Sequence, residues 1–174
     1  INGGIINNFN LNAKLGKGDW IIAEADESDG SFIHLPSTIG IINNIDLEHL
    51  DHYKDINDVK KAFIKYANNI PFYGFISLCV DHKNIREIRN KINQKRIVSF
   101  GFSKEADFNP LNITVIKRNN IFYSKFDVRE KLNKKRVIKN IIVPLLGNHN
   151  IQNVLGAISV ARCLKISEQQ IKKG

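Results

Sequence analysis

The chain has 174 residues, 43% of them hydrophobic and 25% charged, enough to bury the core of one domain. No stretch approaches the roughly 20 consecutive apolar residues of a membrane-spanning helix, so no membrane association is expected. The formal net charge of +9 would suit an anionic partner, but the lysines are spread over helix faces and the Lys131 to Lys139 stretch without interleaved aromatic rings, so nucleic acid is not an expected partner.

The chain begins at Ile1 and contains no Met, which reads as a piece of a longer protein. No leader is visible. Cys79 and Cys163 lack a CxxC or zinc-like spacing and sit in apolar surroundings, as expected of reduced core thiols in a cytoplasmic protein.

In chain order, the apolar run Trp20 to Ala23 predicts a buried strand over Asp19 to Glu24, and Ile39 to Ile42 predicts a second over Thr38 to Ile45. Asn57 to Ile70 places Val59, Ala62, Phe63, Tyr66, Ala67 and Ile70 on one helical stripe, with Asn57 as the cap. Pro71 to Gly74 breaks the chain. Phe75 to Val80 predicts a strand, Lys83 to Ile92 a helix and Arg96 to Phe102 another strand. This rhythm implies crossover connections and a mostly parallel sheet flanked by helices. After Pro110 the segments Ile113 to Lys117, Ile121 to Phe126 and Val137 to Val143 predict strands, with Asn119-Asn120 as a hairpin turn. A last helix begins near Asn148 to Asn150, behind a turn at Gly147, and presents Ile151, Val154, Leu155 and Ile158 on one face. The expected fold is α/β, a mostly parallel central sheet with a small antiparallel β annex, forming one domain over 1–174.

Two acidic stretches, Glu24 to Asp29 and the histidine-bearing Asn44 to Tyr53, each follow an apolar run. If the runs are neighbouring parallel strands, both stretches lie at the carboxyl edge of one sheet, where open α/β folds bind ligands. Solvated loops are the plainer alternative, since acidic residues are usually exposed. A hard cation such as Mg²⁺ relies on one or two carboxylates plus substrate phosphates, which Glu24 suits. His49 would ligate directly or orient a metal-bound water or phosphate, unless it is a loop histidine satisfied by Asp51. The absence of a compact His or Cys triplet argues against a closed zinc site. A third candidate is Gly147 to Asn150 with Asn153. Asn150 and Asn153 lie on one helix face, where an amide can match the N6 and N7 edge of adenine. His149 could stack on the base. The competing role for these asparagines is helix capping.

These residues resemble the central, ATP-binding domain of the Mur ligases. The resemblance runs nearly the full length: Asn2-Gly3-Gly4, Ala23 to Asp29 with Ser31-Phe32 and His34-Leu35, Asn44 to Tyr53, Asn69 to Gly74, Cys79-Val80-Asp81, Phe100-Gly101-Phe102 and Gly147 to Asn153. It implies an ATP-dependent, amide-bond-forming ligase of peptidoglycan synthesis that uses Mg²⁺ and joins L-alanine to the carboxylate of UDP-N-acetylmuramate through an acyl phosphate. By motif position, Glu24 and His49 are implied as the catalytic, metal-binding pair, His149, Asn150 and Asn153 as nucleotide contacts, and Asn44 as a residue near the site. Ser28 and the Ser31 to Leu35 continuation favour the alanine-adding branch over the branch that recycles murein tripeptide. A metal-dependent phosphohydrolase using the same acidic edge is the alternative outside the family. The family's Gly-Lys-Thr phosphate loop, its N-terminal UDP-binding domain and its C-terminal domain are absent from these residues, so the chain by itself is expected to fold but not to turn over ATP.

Overall fold

The structure, a computed structural model, describes residues 1, 3–4, 11–48, 50–93, 96–132 and 135–174. One six-stranded sheet carries the fold, with strands in chain order: β1 (Ile39–Ile42), β2 (Phe75–Cys79), β3 (Ile97–Phe100), β4 (Phe108–Arg118), β5 (Ile121–Glu130) and β6 (Arg136–Val143). The first four pair in parallel and the last three antiparallel. The expected annex is therefore the far half of the same sheet rather than a separate layer. β2 is buried at every position, as a parallel strand covered on both faces must be.

The covering layers follow from side-chain alternation along β1. A Cβ on Gly40 would lie 3.0 Å from the Tyr66 hydroxyl of α1 (Ile56–Asn69), whereas the next residue, Ile41, meets Gly156 of the helix α3 (Asn148–Cys163). Successive strand residues point to opposite faces, so α1 and α3 sandwich the sheet. The short helix α2 (Lys83–Arg89) lies beside α1, joined to it by the Lys60–Glu87 ion pair. The cap of α1 differs from expectation. Asp55, not Asn57, accepts from the backbone N–H groups of Asn57 and Asp58, because the helix starts one residue earlier than the apolar stripe suggests. A further short helix, α4 (Glu168–Lys173), opens on a Ser167/Gln170 capping box.

α3 returns across the sheet against the strand direction. Gln152 lies at Asp81, just past the end of β2, Ser159 bonds the Ser77 hydroxyl at 2.6 Å in mid-strand, and Arg162 reaches Glu130 at the end of β5. The α3 N-terminus thus stands at the carboxyl edge of β1 to β3. Ile151, Leu155 and Ile158 of α3 are buried in the core, with Gly156 against Phe100 and Ile41 of the sheet, and each such buried apolar side chain contributes about 1.5 to 3 kcal/mol.

The β4–β5 hairpin turns through Asn119 and Asn120, both left-handed at φ 47° and 60°, the backbone that a two-residue type I′ turn requires. The pairing register shifts between Leu111 and Thr114 on β4 and between Phe126 and Val128 on β5. Asp127 bridges both irregularities by accepting from Asn112 Nδ2 and the Asn140 N–H, each at 2.8 Å.

The predicted strand Asp19 to Glu24 is not in the sheet. Trp20, Ile21 and Ile22 are 55%, 83% and 83% exposed. The described bonds of this stretch run to the first residue instead: the Ile1 amino group donates to the Ile22 carbonyl at 2.8 Å and the Glu24 N–H to the Ile1 carbonyl at 3.0 Å. An apolar run states a preference for burial, not which strand will pair with it, and among the described residues the sheet ends at β1.

Candidate functional site

β1 and β2 are in register from Ile39 opposite Phe75 to Ile42 opposite Leu78, so the segments leaving them, Asn43 onward and Val80 onward, emerge at one edge. There the Asn44 amide donates to Asp46 Oδ2 at 3.0 Å, and Asn84 holds the Ile45 carbonyl at 2.7 Å. The start of α3 shares this edge.

The first acidic stretch reaches the second by bonds that periodicity does not reveal. Within it, Ser28 N–H and Ser31 N–H donate to Asp26 and Asp29 carboxylates, each at 2.8 Å, and Gly30 N–H donates to the Glu27 carbonyl at 3.1 Å. Tyr53, buried at the end of the second stretch, donates its hydroxyl to that same Glu27 carbonyl at 2.7 Å. His52 packs on Gly30, where a Cβ would lie 2.5 Å from Nε2. Gly30 has φ 70°, a left-handed conformation that glycine adopts without steric penalty. Hydrogen bonds from Ser31 hold the Asp29 carboxyl below its ordinary range, with a smaller contribution from His52. Burial raises the Tyr53 hydroxyl, and Glu27, Asp29 and Asp26 add to that rise. The two motifs form one unit, built through Tyr53 and His52 rather than through paired strands.

Glu24 is exposed and takes the Gly3 N–H on Oε2 at 2.7 Å. His49, its expected partner, lies outside the described residues, and among the described residues no three His, Cys, Asp or Glu side chains converge on a cation site. An exposed carboxylate held by a backbone amide is a hard oxygen donor, and its chemistry fits Mg²⁺, which takes few protein ligands alongside phosphate and water.

At the third candidate, capping is not what the asparagines do. The α3 N-cap is Gly147, with φ 99° and no side-chain cap bond. Asn150 instead turns its amide back to the Leu146 carbonyl at 2.8 Å, while His149 and Asn153 are exposed. Asn153 lies past the first turn, too far into the helix to cap it.

Asp81 is a functional residue that sequence reasoning misses. It follows the apolar run of β2 as Glu24 and Asp46 follow apolar runs in the sequence, and that repeated pattern is the signal that could have found it. Its carboxylate accepts from Phe102 N–H at 2.7 Å, Ser103 N–H at 3.0 Å and Gln152 Nε2 at 2.7 Å.

Residues 10–161 match the Mur ligase middle domain family. Over all 174 residues the chain is 41% identical to the UDP-N-acetylmuramate–L-alanine ligase of Bartonella henselae. It is 44% identical over its whole length to the enzyme of that name from Novosphingobium aromaticivorans. It spans 36% of the length of each of these relatives. Among solved structures, the UDP-N-acetylmuramate–alanine ligase MurC of Thermotoga maritima superimposes with a TM-score of 0.67 at 19% identity, covering 85% of this chain and 30% of that one.

Proposed function

The chain belongs to the Mur ligase family, as its middle domain, and from that premise we propose that it forms the ATP-handling part of a ligase joining L-alanine to the carboxylate of UDP-N-acetylmuramate. The observation that carries this is the full-length identity of 41% to 44% to enzymes of that name. The edge shared by the second acidic motif and the α3 start, to which Tyr53 and His52 tie the first motif, supports this reading.

In the proposed reaction a carboxylate oxygen of the muramyl group attacks the γ-phosphorus of ATP, and ADP leaves. The alanine amino group then attacks the acyl carbon, and phosphate leaves. Asn150 and Asn153 would hold the adenine edge and His149 its ring face. Glu24 and His49 would hold Mg²⁺, with Asn44 beside them. That ion supplies charge neutralisation on the phosphates when bound, so the protein acts by positioning and electrostatics. Tyr53 and His52 keep the Glu24 stretch against the second motif. No described helix is long and apolar enough to cross a membrane, and we place the reaction in the cytoplasm, where nucleotide-activated sugars and ATP meet.

The test uses the complete protein with Mg²⁺. Phosphate release from ATP should require both UDP-N-acetylmuramate and L-alanine and should collapse in Glu24→Ala while the fold persists. ATP turnover that proceeds without either acceptor would favour the phosphohydrolase alternative and overturn the assignment.

A further inference from the structure

Asp81 gathers three parts of the chain that are distant in sequence. It ends β2, two of its bonds come from the loop after β3, and the third comes from Gln152 on α3, 71 positions away. Arg86 braces the same corner from α2, donating to the Val80 carbonyl at 2.8 Å and the Asp81 carbonyl at 2.6 Å. Gly101 has φ 143°, and a Cβ there would lie 2.6 Å from Asp81 Oδ1. The β3 loop therefore closes on the carboxylate only because position 101 has no side chain. A half-buried carboxylate with three donors is an anchor that resists displacement, since charge-assisted bonds are about twice as strong as neutral ones.

What it anchors is the first part of α3. Gln152 is one residue before Asn153 and two after Asn150, and helical residues are spaced about 100° apart around the axis. The tether to Asp81 thus sets the rotation of the helix that turns Asn153 outward. Besides that tether, α3 is held by apolar packing through Ile151, Leu155 and Ile158 and, further along, by the Ser77–Ser159 pair and the Arg162–Glu130 ion pair. Such packing fixes how deeply a helix seats better than how it is rotated at its free end. We infer that Asp81, acting through Gln152, is a positioning residue for nucleotide binding: it orients the start of α3 without touching the nucleotide. This rests on the nucleotide role proposed above for Asn150 and Asn153.

The experiment uses the complete ligase, with the non-hydrolysable analogue AMP-PNP and, separately, UDP-N-acetylmuramate as calorimetric probes, well below the melting temperature. Gln152→Met removes the tether and leaves the β3-loop bonds to Asp81 intact. It should weaken AMP-PNP binding about fivefold to tenfold, less than the full worth of a hydrogen bond to a charged group because only the helix orientation is lost, with UDP-N-acetylmuramate binding unchanged. Asp81→Ala should weaken AMP-PNP binding further. Unchanged AMP-PNP affinity in Gln152→Met with a lowered melting temperature would reduce the tether to fold support and overturn the inference, as would equal weakening of both ligands. Asn153→Ala runs in parallel: if it too leaves AMP-PNP affinity untouched, the nucleotide assignment of α3 fails, and this inference fails with it.

Discussion

Replacing Tyr53 by Phe isolates the link between the two acidic motifs. The ring is part of the buried core, next to His52 at a centroid distance of 4.7 Å, and Phe keeps that packing. What disappears is the 2.7 Å hydroxyl bond to the Glu27 carbonyl. A partly buried neutral hydrogen bond contributes about 0.5 to 1.5 kcal/mol, so the population in which the Glu24 to Asp29 stretch detaches should rise about twofold to tenfold. Amide hydrogen exchange reads this locally. The Gly30 N–H shares the same carbonyl acceptor at 3.1 Å, and its exchange should speed up together with that of Ser28 and Ser31, while amides of β2 stay unchanged. Alkaline titration gives a second readout. Because the folded Tyr53 pKa lies above its ordinary 10.0, the stability it confers is fully present below that value and is lost as pH rises through the higher folded one. Tyr53→Phe should remove that component of the alkaline loss. Unaltered exchange at positions 28 to 31 would refute the coupling and leave Tyr53 as a core ring only.

In the complete protein, Asn153→Ala should weaken ATP binding by about 1 to 3 kcal/mol with little change in melting temperature, since Asn153 is exposed and does not cap α3; calorimetry and a thermal melt on the same sample check both. Arg162→Met strands Glu130, whose side chain is 3% exposed, and loss of one partner of a buried ion pair costs about 3 to 5 kcal/mol, measurable as a lower urea midpoint. The bonds from Asn140 and Asn112 depress the Asp127 carboxyl below its ordinary 3.8, so its contribution is complete above that pH and lost as pH falls through the lower folded value. Asp127→Ala should flatten the stability-versus-pH curve in that acid range and leave it unchanged in shape near neutrality.

The elements most legible in the sequence were those whose local pattern and tertiary role agree. Phe75 to Cys79 is apolar apart from Ser77 and became the fully buried β2; Asn119-Asn120 named its own turn; the α3 stripe matched its buried face. Pro110 misled in the other direction. It was read as a boundary before the antiparallel strands, yet it lies inside β4 opposite Val128, because β4 starts on the parallel side of the sheet and continues without a break. The site was legible as residue types and not as connections. The acidic stretches Glu24 to Asp29 and Asn44 to Tyr53 stand out after apolar runs, and Asn44 itself only through the family resemblance, but Tyr53 to Glu27 spans 26 positions and Gln152 to Asp81 spans 71, and no periodicity encodes a bond between loops so far apart.

The strands pair only with their neighbours in sequence, so the sheet can assemble progressively as the chain leaves the ribosome, each new strand joining the one made before it. One of its faces, however, is roofed by α3, which is made after all six strands. Until residue 163 has emerged, the Phe100 and Ile41 side that receives Gly156 has no cover. Synthesis therefore passes through a stage in which the described strands can pair while this apolar flank still lacks α3, the kind of surface that recruits chaperones or self-associates. A polypeptide released before Asn148 would be held at that stage permanently, and its fate would be aggregation or proteolysis rather than a smaller folded domain.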